Sequence, residues 1–196
     1  LDAGRVDEAY EKYALTAHVS STGLATFRAI AGKYPDRDPK RILLDLAASS
    51  GDPGRWFAAA KDAGFLDLAW EFAETGRTDP RTLSRASRDL LERDVPFCMQ
   101  VGQLAIQRIL EGYGYELTAA DVIDAHNHFM AAAQKLDIAA QARTDLLAMA
   151  TEAQRRGDPF SDILISQCSP DPRVRTVPAK ATRGQRTWTT RNMTRR

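Results

Sequence analysis

Cysteine is scarce in this chain: Cys98 and Cys168 are the only two among 196 residues. A pair so widely separated is no disulfide framework, and two free thiols in a reducing cytoplasm are expected. Long apolar runs are missing as well. None approaches the roughly 18 residues needed to cross a bilayer, so no membrane partner is expected. The first twenty residues mix acidic and basic groups at helical spacing and hold no apolar stretch of the kind that marks a signal peptide. Strand-like segments are nearly absent. Ile163-Leu164-Ile165 could form one, but a lone strand has nothing to pair with. The glycine-rich stretch Gly112-Tyr113-Gly114-Tyr115 lacks the spacing that cradles phosphates and reads as a helix–helix turn with packing tyrosines. Ser20 and Ser21 have no base near them in sequence, and nothing resembles a nucleophile elbow. These gaps argue against an enzyme and against a resident cofactor.

What is present suits one domain with an appendage. Hydrophobic residues make up 43% and charged residues 27%, ordinary for a globular chain that buries a sizeable core. The formal net charge of +1 conceals an asymmetry. From residue 168 onward eight basic residues face Asp171 alone, whereas residues 1–167 hold 19 basic and 25 acidic groups. The expected organisation is therefore a helical domain over 1–166 and a flexible basic tail over 167–196. That tail is rich in Arg, Thr and Pro and too poor in aliphatic residues to offset chain entropy. Because the chain begins with Leu1, it is expected to be a piece of a longer protein.

Proline marks the helix starts. Five of the nine prolines follow Asp: Pro39, Pro53, Pro80, Pro159 and Pro172. The Asp carboxylate accepts from free first-turn amides, and Pro gives up an N–H that lacks an intrahelical partner. Helices are expected over about 5–18, 22–34, 39–49, 53–63, 65–75, 80–93, 94–111, 118–136 and 138–156, with a short one near Pro159. Gly64 closes the fourth as a left-handed cap and Gly76 closes the fifth. Thr118 with Asp121 forms a capping box for the eighth, whose Val122, Ala125, Phe129, Ala133 and Leu136 make one apolar stripe. The seventh is apolar on more than one face, through Phe97, Val101, Leu104, Ala105, Ile106, Ile109 and Leu110, as expected of a helix buried on two sides. The fold class is all-α: about nine helices in antiparallel hairpins, forming a short solenoid or bundle.

An internal echo supports stacking. Gly4-Arg5-Val6-Asp7-Glu8-Ala9-Tyr10-Glu11 returns as Gly64-Phe65-Leu66-Asp67-Leu68-Ala69-Trp70-Glu71, with Gly, Asp, Ala and Glu identical. The pattern Gly-x-x-Asp-x-Ala plus an aromatic resembles the middle of a tetratricopeptide repeat, with Tyr13 at a further aromatic position of that family. The resemblance implies that Gly4 and Gly64 make inter-helix turns and that Ala9 and Ala69 pack in second helices. It covers about a third of the chain, and the sixty-residue spacing departs from the family's period of 34. The wider pattern also resembles uncharacterised bacterial helical domains that follow SWIM zinc-binding modules, although no cysteine/histidine motif of that module is present.

Four groups of residues are candidates for function. Asp67, Trp70, Glu71 and Glu74 around the repeated turn are expected to contact a protein partner or basic peptide, in keeping with the acidic balance of the body. Trp56, Phe57, Phe65, Trp70 and Phe72 crowd one stretch and are read as core packing between the fourth and fifth helices, with an aromatic groove as the alternative. Asp121, Asp124 and His128 lie at i, i+3 and i+7 on one helical face and form a weak candidate metal set, against the simpler reading of a polar face with Asp121 as a cap. His126 leans towards the apolar stripe and is read as a packing residue. In the tail, Trp188 among Arg183, Arg186 and Arg191 suits base stacking with phosphate contact, which makes nucleic acid the alternative partner. The leading expectation is a non-enzymatic, cytoplasmic protein-interaction domain.

Overall fold

In a computed structural model, residues 3–15 and 22–169 are described, and every regular element among them is helical. The ten α-helices are α1 (Ala3–Ala9), α2 (Gly23–Lys33), α3 (Pro39–Ser50), α4 (Phe57–Asp62), α5 (Leu66–Thr75), α6 (Pro80–Asp89), α7 (Val95–Leu110), α8 (Ala119–Lys135), α9 (Ala139–Arg155) and α10 (Ser161–Cys168). A π-helical turn, Tyr10–Ala14, continues α1, and a 3-10 turn, Pro53–Trp56, leads into α4.

The Asp-Pro signals act as the chemistry requires. Asp38 accepts from the Lys40 amide, Asp52 from Gly54 and Asp79 from Thr82. Asp158 accepts from the Phe160 amide just ahead of α10. Thr22 and Asp94 cap α2 and α7, accepting from Ala25 and Phe97. Both halves of the Thr118–Asp121 capping box are made. Pro172 lies outside the described residues.

Four expectations need correction. The helix starting at Pro53 is split, because its first turn tightens to 3-10 geometry before α4 begins. The helix from Pro80 stops at Asp89, and turns replace it as far as Arg93. Ile163, Leu164 and Ile165 are helical, with Leu164 buried in the core. Gly4 lies inside α1 instead of forming a turn, so the two octets have different backbones; only Gly64, at φ +84°, makes the left-handed turn into a helix. Ala69 is fully buried, its counterpart Ala9 only partly so.

One continuous core runs from Tyr10 to Cys168. Trp56, Phe57 and Phe72 are buried in it while Phe65 and Trp70 pack half-buried at its edge, so most of the aromatic crowd is core. Phe57 stacks on Phe97 of α7 with the rings 5° from parallel. α7 is the central element, packing against α5, α6, α8 and α9, which explains its apolar residues on several faces. The stripe of α8 is buried from Val122 to Ala133, and Leu136 at its end is exposed. Both cysteines are buried free thiols, and burial pushes the Cys98 thiol up to about 11.

The N-terminal helix is held by polar contacts around a buried ring. Tyr10 sits edge-on to Tyr34 with centroids 5.2 Å apart, donates to Asp45 at 3.0 Å, and lies under the Arg37 guanidinium at 3.9 Å. Arg37 also pairs with Asp7 of α1. Tyr13, the aromatic of the repeat-like pattern, is 65% exposed on the π turn.

The tightest approach at any described glycine joins the 3-10 turn to the segment after α5. A Cβ on Gly76 would lie 2.0 Å from the Gly54 nitrogen, so backbone rests directly on backbone. Asp52 reinforces the crossing by accepting from both Gly54 and Arg77 amides, and buried Thr78 donates to the Gly54 carbonyl at 3.1 Å. This staple sets the position of α5, which carries one of the two candidate surfaces.

Candidate functional site

α5 presents an acidic stripe. Asp67, Glu71 and Glu74 recur at i, i+4 and i+7, a spacing that aligns them on one side of a helix. All three are exposed, while Leu68, Ala69, Phe72 and Ala73 bury the opposite side. No carboxylate of the three has an ion pair or side-chain hydrogen bond among the described residues; Glu71 and Glu74 accept only through their backbone carbonyls.

Beside the stripe runs a groove between α5 and α7 of about 400 Å³, lined by Trp70, Glu74, Gln100, Gln103, Leu104, Gln107 and Arg108. Trp70 and Glu74, one turn apart, form its α5 wall. Gln100 and Gln103 are exposed and their carboxamides are unengaged among the described residues. Arg108 closes one end. Its guanidinium donates to the Glu74 and Gly76 carbonyls and to Glu111, and it stands 4.9 Å from the Tyr113 ring centroid. A cation at those carbonyls complements the negative end of α5. Sequence reasoning found Trp70 and Glu74 but missed the glutamines and Arg108, because their nearness to α5 arises only from packing across thirty residues of chain. Asp67 and Glu71 do not line the groove; they extend the acidic surface away from it.

A second concavity, of about 240 Å³, lies between α6 and α8 and contains the candidate metal set. Asp121, Asp124 and His128 all line it, but Asp121 is fully engaged. Arg81 grips its two oxygens at 2.7 and 3.0 Å, and Thr118 donates to the same carboxylate from backbone and hydroxyl. Those bonds, the Arg81 bond foremost, hold the Asp121 carboxyl well below the usual range. Among the described residues no group of three or more His, Cys, Asp and Glu side chains is placed to hold a metal ion. Asp121 does cap α8, as the simpler reading has it.

His128 is instead engaged by a residue the sequence did not single out. Ser84 Oγ of α6 lies 2.9 Å from His128 Nδ1. Burial lowers the His128 pKa, with Arg88 acting in the same direction and Asp124 opposing. His126 is buried, as its lean toward the stripe suggests. Its Nδ1 meets Asn127 Oδ1 at 3.3 Å and its Nε2 has no partner, so burial lowers its pKa too. Tyr115 is not a packing residue: its ring is 77% exposed and its role is backbone, as its carbonyl accepts from Arg81. Tyr113 packs only partly, under Arg108.

Ser20, Ser21 and the tail set Arg183, Arg186, Trp188 and Arg191 lie outside the described residues. No described helix is long and apolar enough to cross a membrane. In comparison with known proteins, no family model, no curated protein and no solved structure matches the chain.

Proposed function

We propose that this chain is a protein-interaction domain, a short stack of tetratricopeptide-like helical pairs, that receives a basic peptide segment of a partner along α5 and the groove against α7. The observation that carries the reading is the row of three unpaired, exposed carboxylates, Asp67, Glu71 and Glu74, alongside half-buried Trp70. Some surface acids of the body are held, Asp7 by Arg37, Asp62 by Arg28 and Glu92 by Lys135, and others such as Asp36, Asp124 and Asp137 are unpaired among the described residues but single; α5 carries three unpaired acids on one helical face. Three unpaired carboxylates aligned on one face suit cations from outside. Trp70 offers a flat face to an aliphatic stem or a guanidinium, and Gln100 and Gln103 can both donate to and accept from an extended backbone.

The test is a titration with a labelled peptide of about twelve residues rich in Arg and Lys, against an acidic peptide of the same length. The basic peptide binds, and Glu71→Lys with Glu74→Lys weakens it by about tenfold or more, since each reversal replaces attraction with repulsion. Asp36→Lys, an exposed reversal near the start of α3 and away from the groove, leaves the affinity within about twofold. Equal losses from both sets of reversals, or no preference between the peptides, would remove the reading.

A further inference from the structure

The acidic face of α5 has a match within the same chain. Residues 170–196, outside the described residues, hold eight basic residues and one acid, Asp171. Residues 1–169 hold the other 19 basic and 25 acidic groups, so the chain's positive excess is confined to this tail. The folded body does little to neutralise the α5 row itself. Arg108, the cation among the residues lining the groove, is already engaged by Glu111 and by the Glu74 and Gly76 carbonyls. Neither Arg77, just past α5, nor any other described cation pairs with the Asp67, Glu71 or Glu74 carboxylate.

We propose that residues 180–191 of the chain's own tail dock on α5 and the α5–α7 groove, covering that surface until a partner's basic segment displaces them. The inference rests on the reading of α5 as a receiver of basic peptides and names the resident occupant of the same surface. Spacing agrees with it. Asp67 to Glu74 covers about 10 Å of helix axis, and Arg183 and Arg186 spread over about 10 Å of extended chain. Lys180 and Arg191 continue the charge on either side, and Trp188 supplies a ring for the Trp70 wall. Reach agrees as well. α10 packs on α9, α9 on α7 and α7 on α5, three helix-to-helix steps of about 10 Å each. The stretch from Ser169 to Arg183 covers up to about 45 Å when extended. Tethering holds the tail at an effective concentration of about 1 mM, so a weak contact suffices and a partner can still compete.

The full chain is compared with a full-length variant carrying Arg183→Glu, Arg186→Glu and Arg191→Glu, by amide spectra and by titration with the Arg- and Lys-rich twelve-residue peptide. Releasing the tail shifts amides within residues 66–75 and 100–108 and tightens the peptide by about fivefold, because a tethered competitor is gone. Lys40→Glu, Arg85→Glu and Arg156→Glu together, at exposed positions of the body, change the net charge equally and leave the peptide affinity within about twofold at physiological salt. Equal tightening from the two triple variants overturns the proposal, since general charge then explains it. Equal peptide binding to the full chain and the tail variant, with coincident amide spectra, overturns tail docking and leaves the α5 reading standing. A peptide that binds neither removes both. Differences that grow with protein concentration place the tail on a second copy and overturn docking within one chain.

Discussion

The two halves of this molecule bring their elements together in different ways. Around Gly54 and Gly76 the chain crosses itself backbone on backbone, with no room for any side chain. Between α7 and α8 the approach is looser: a Cβ on Gly102 would meet Ser87 Oγ at 3.0 Å and Phe129 at 3.3 Å. The first crossing is a staple made of main-chain atoms that cannot yield. The second is a small residue between helices whose neighbours can shift by tenths of an ångström. Both halves carry a candidate surface, but α5 is placed by the rigid staple, whereas the α6–α8 cleft depends on side-chain contacts such as Arg81–Asp121.

Gly76→Ala breaks this comparison most severely. The new methyl has only backbone to displace, so a loss near the top of the overpacking range, about 3 kcal/mol, is expected in urea denaturation. A loss below about 1 kcal/mol would mean the crossing is not rigid. Acidification acts on the other half. His126 and His128 both have pKa values lowered below 6.5 chiefly by burial, so the unfolded chain binds more protons than the fold as pH drops through the histidine range. Their contribution is fully present above pH 7 and is lost progressively below about 6.5. The urea midpoint should fall between pH 7.5 and 5.5, and His126→Gln should reduce that fall. A midpoint that rises on acidification contradicts the assignment. Gly102→Ala has the smallest effect. Crowding against Ser87 and Phe129 is partly offset by a helix-propensity gain of about 1 kcal/mol, so thermal denaturation should move by only a few degrees in either direction.

These glycines also show how much of the fold can be read from residue order. Gly64 was legible because a left-handed cap is a local demand of the backbone. Gly76 was legible as a helix end, but its φ of −106° is ordinary extended backbone; it is glycine because Gly54, far away in sequence, rests on it. Caps, capping boxes and the apolar stripe of α8 are likewise local and were readable. The 3-10 turn at Pro53 sits where Gly54 meets Gly76 and Thr78, a tertiary contact that leaves no mark in a short window. At the candidate sites the same division holds. The i, i+4, i+7 acids of α5 follow from one helix, but Gln100, Gln103, Arg108 and the Ser84–His128 pair depend on which helices become neighbours.

Amide chemical-shift mapping with a basic peptide tests the central claim most directly. If α5 and its groove form the docking surface, shifts and added exchange protection concentrate on residues 66–75 and 100–108, while α2, α3 and α9 stay unchanged. Shifts spread over the whole surface, or centred on α9 and α10, would contradict it.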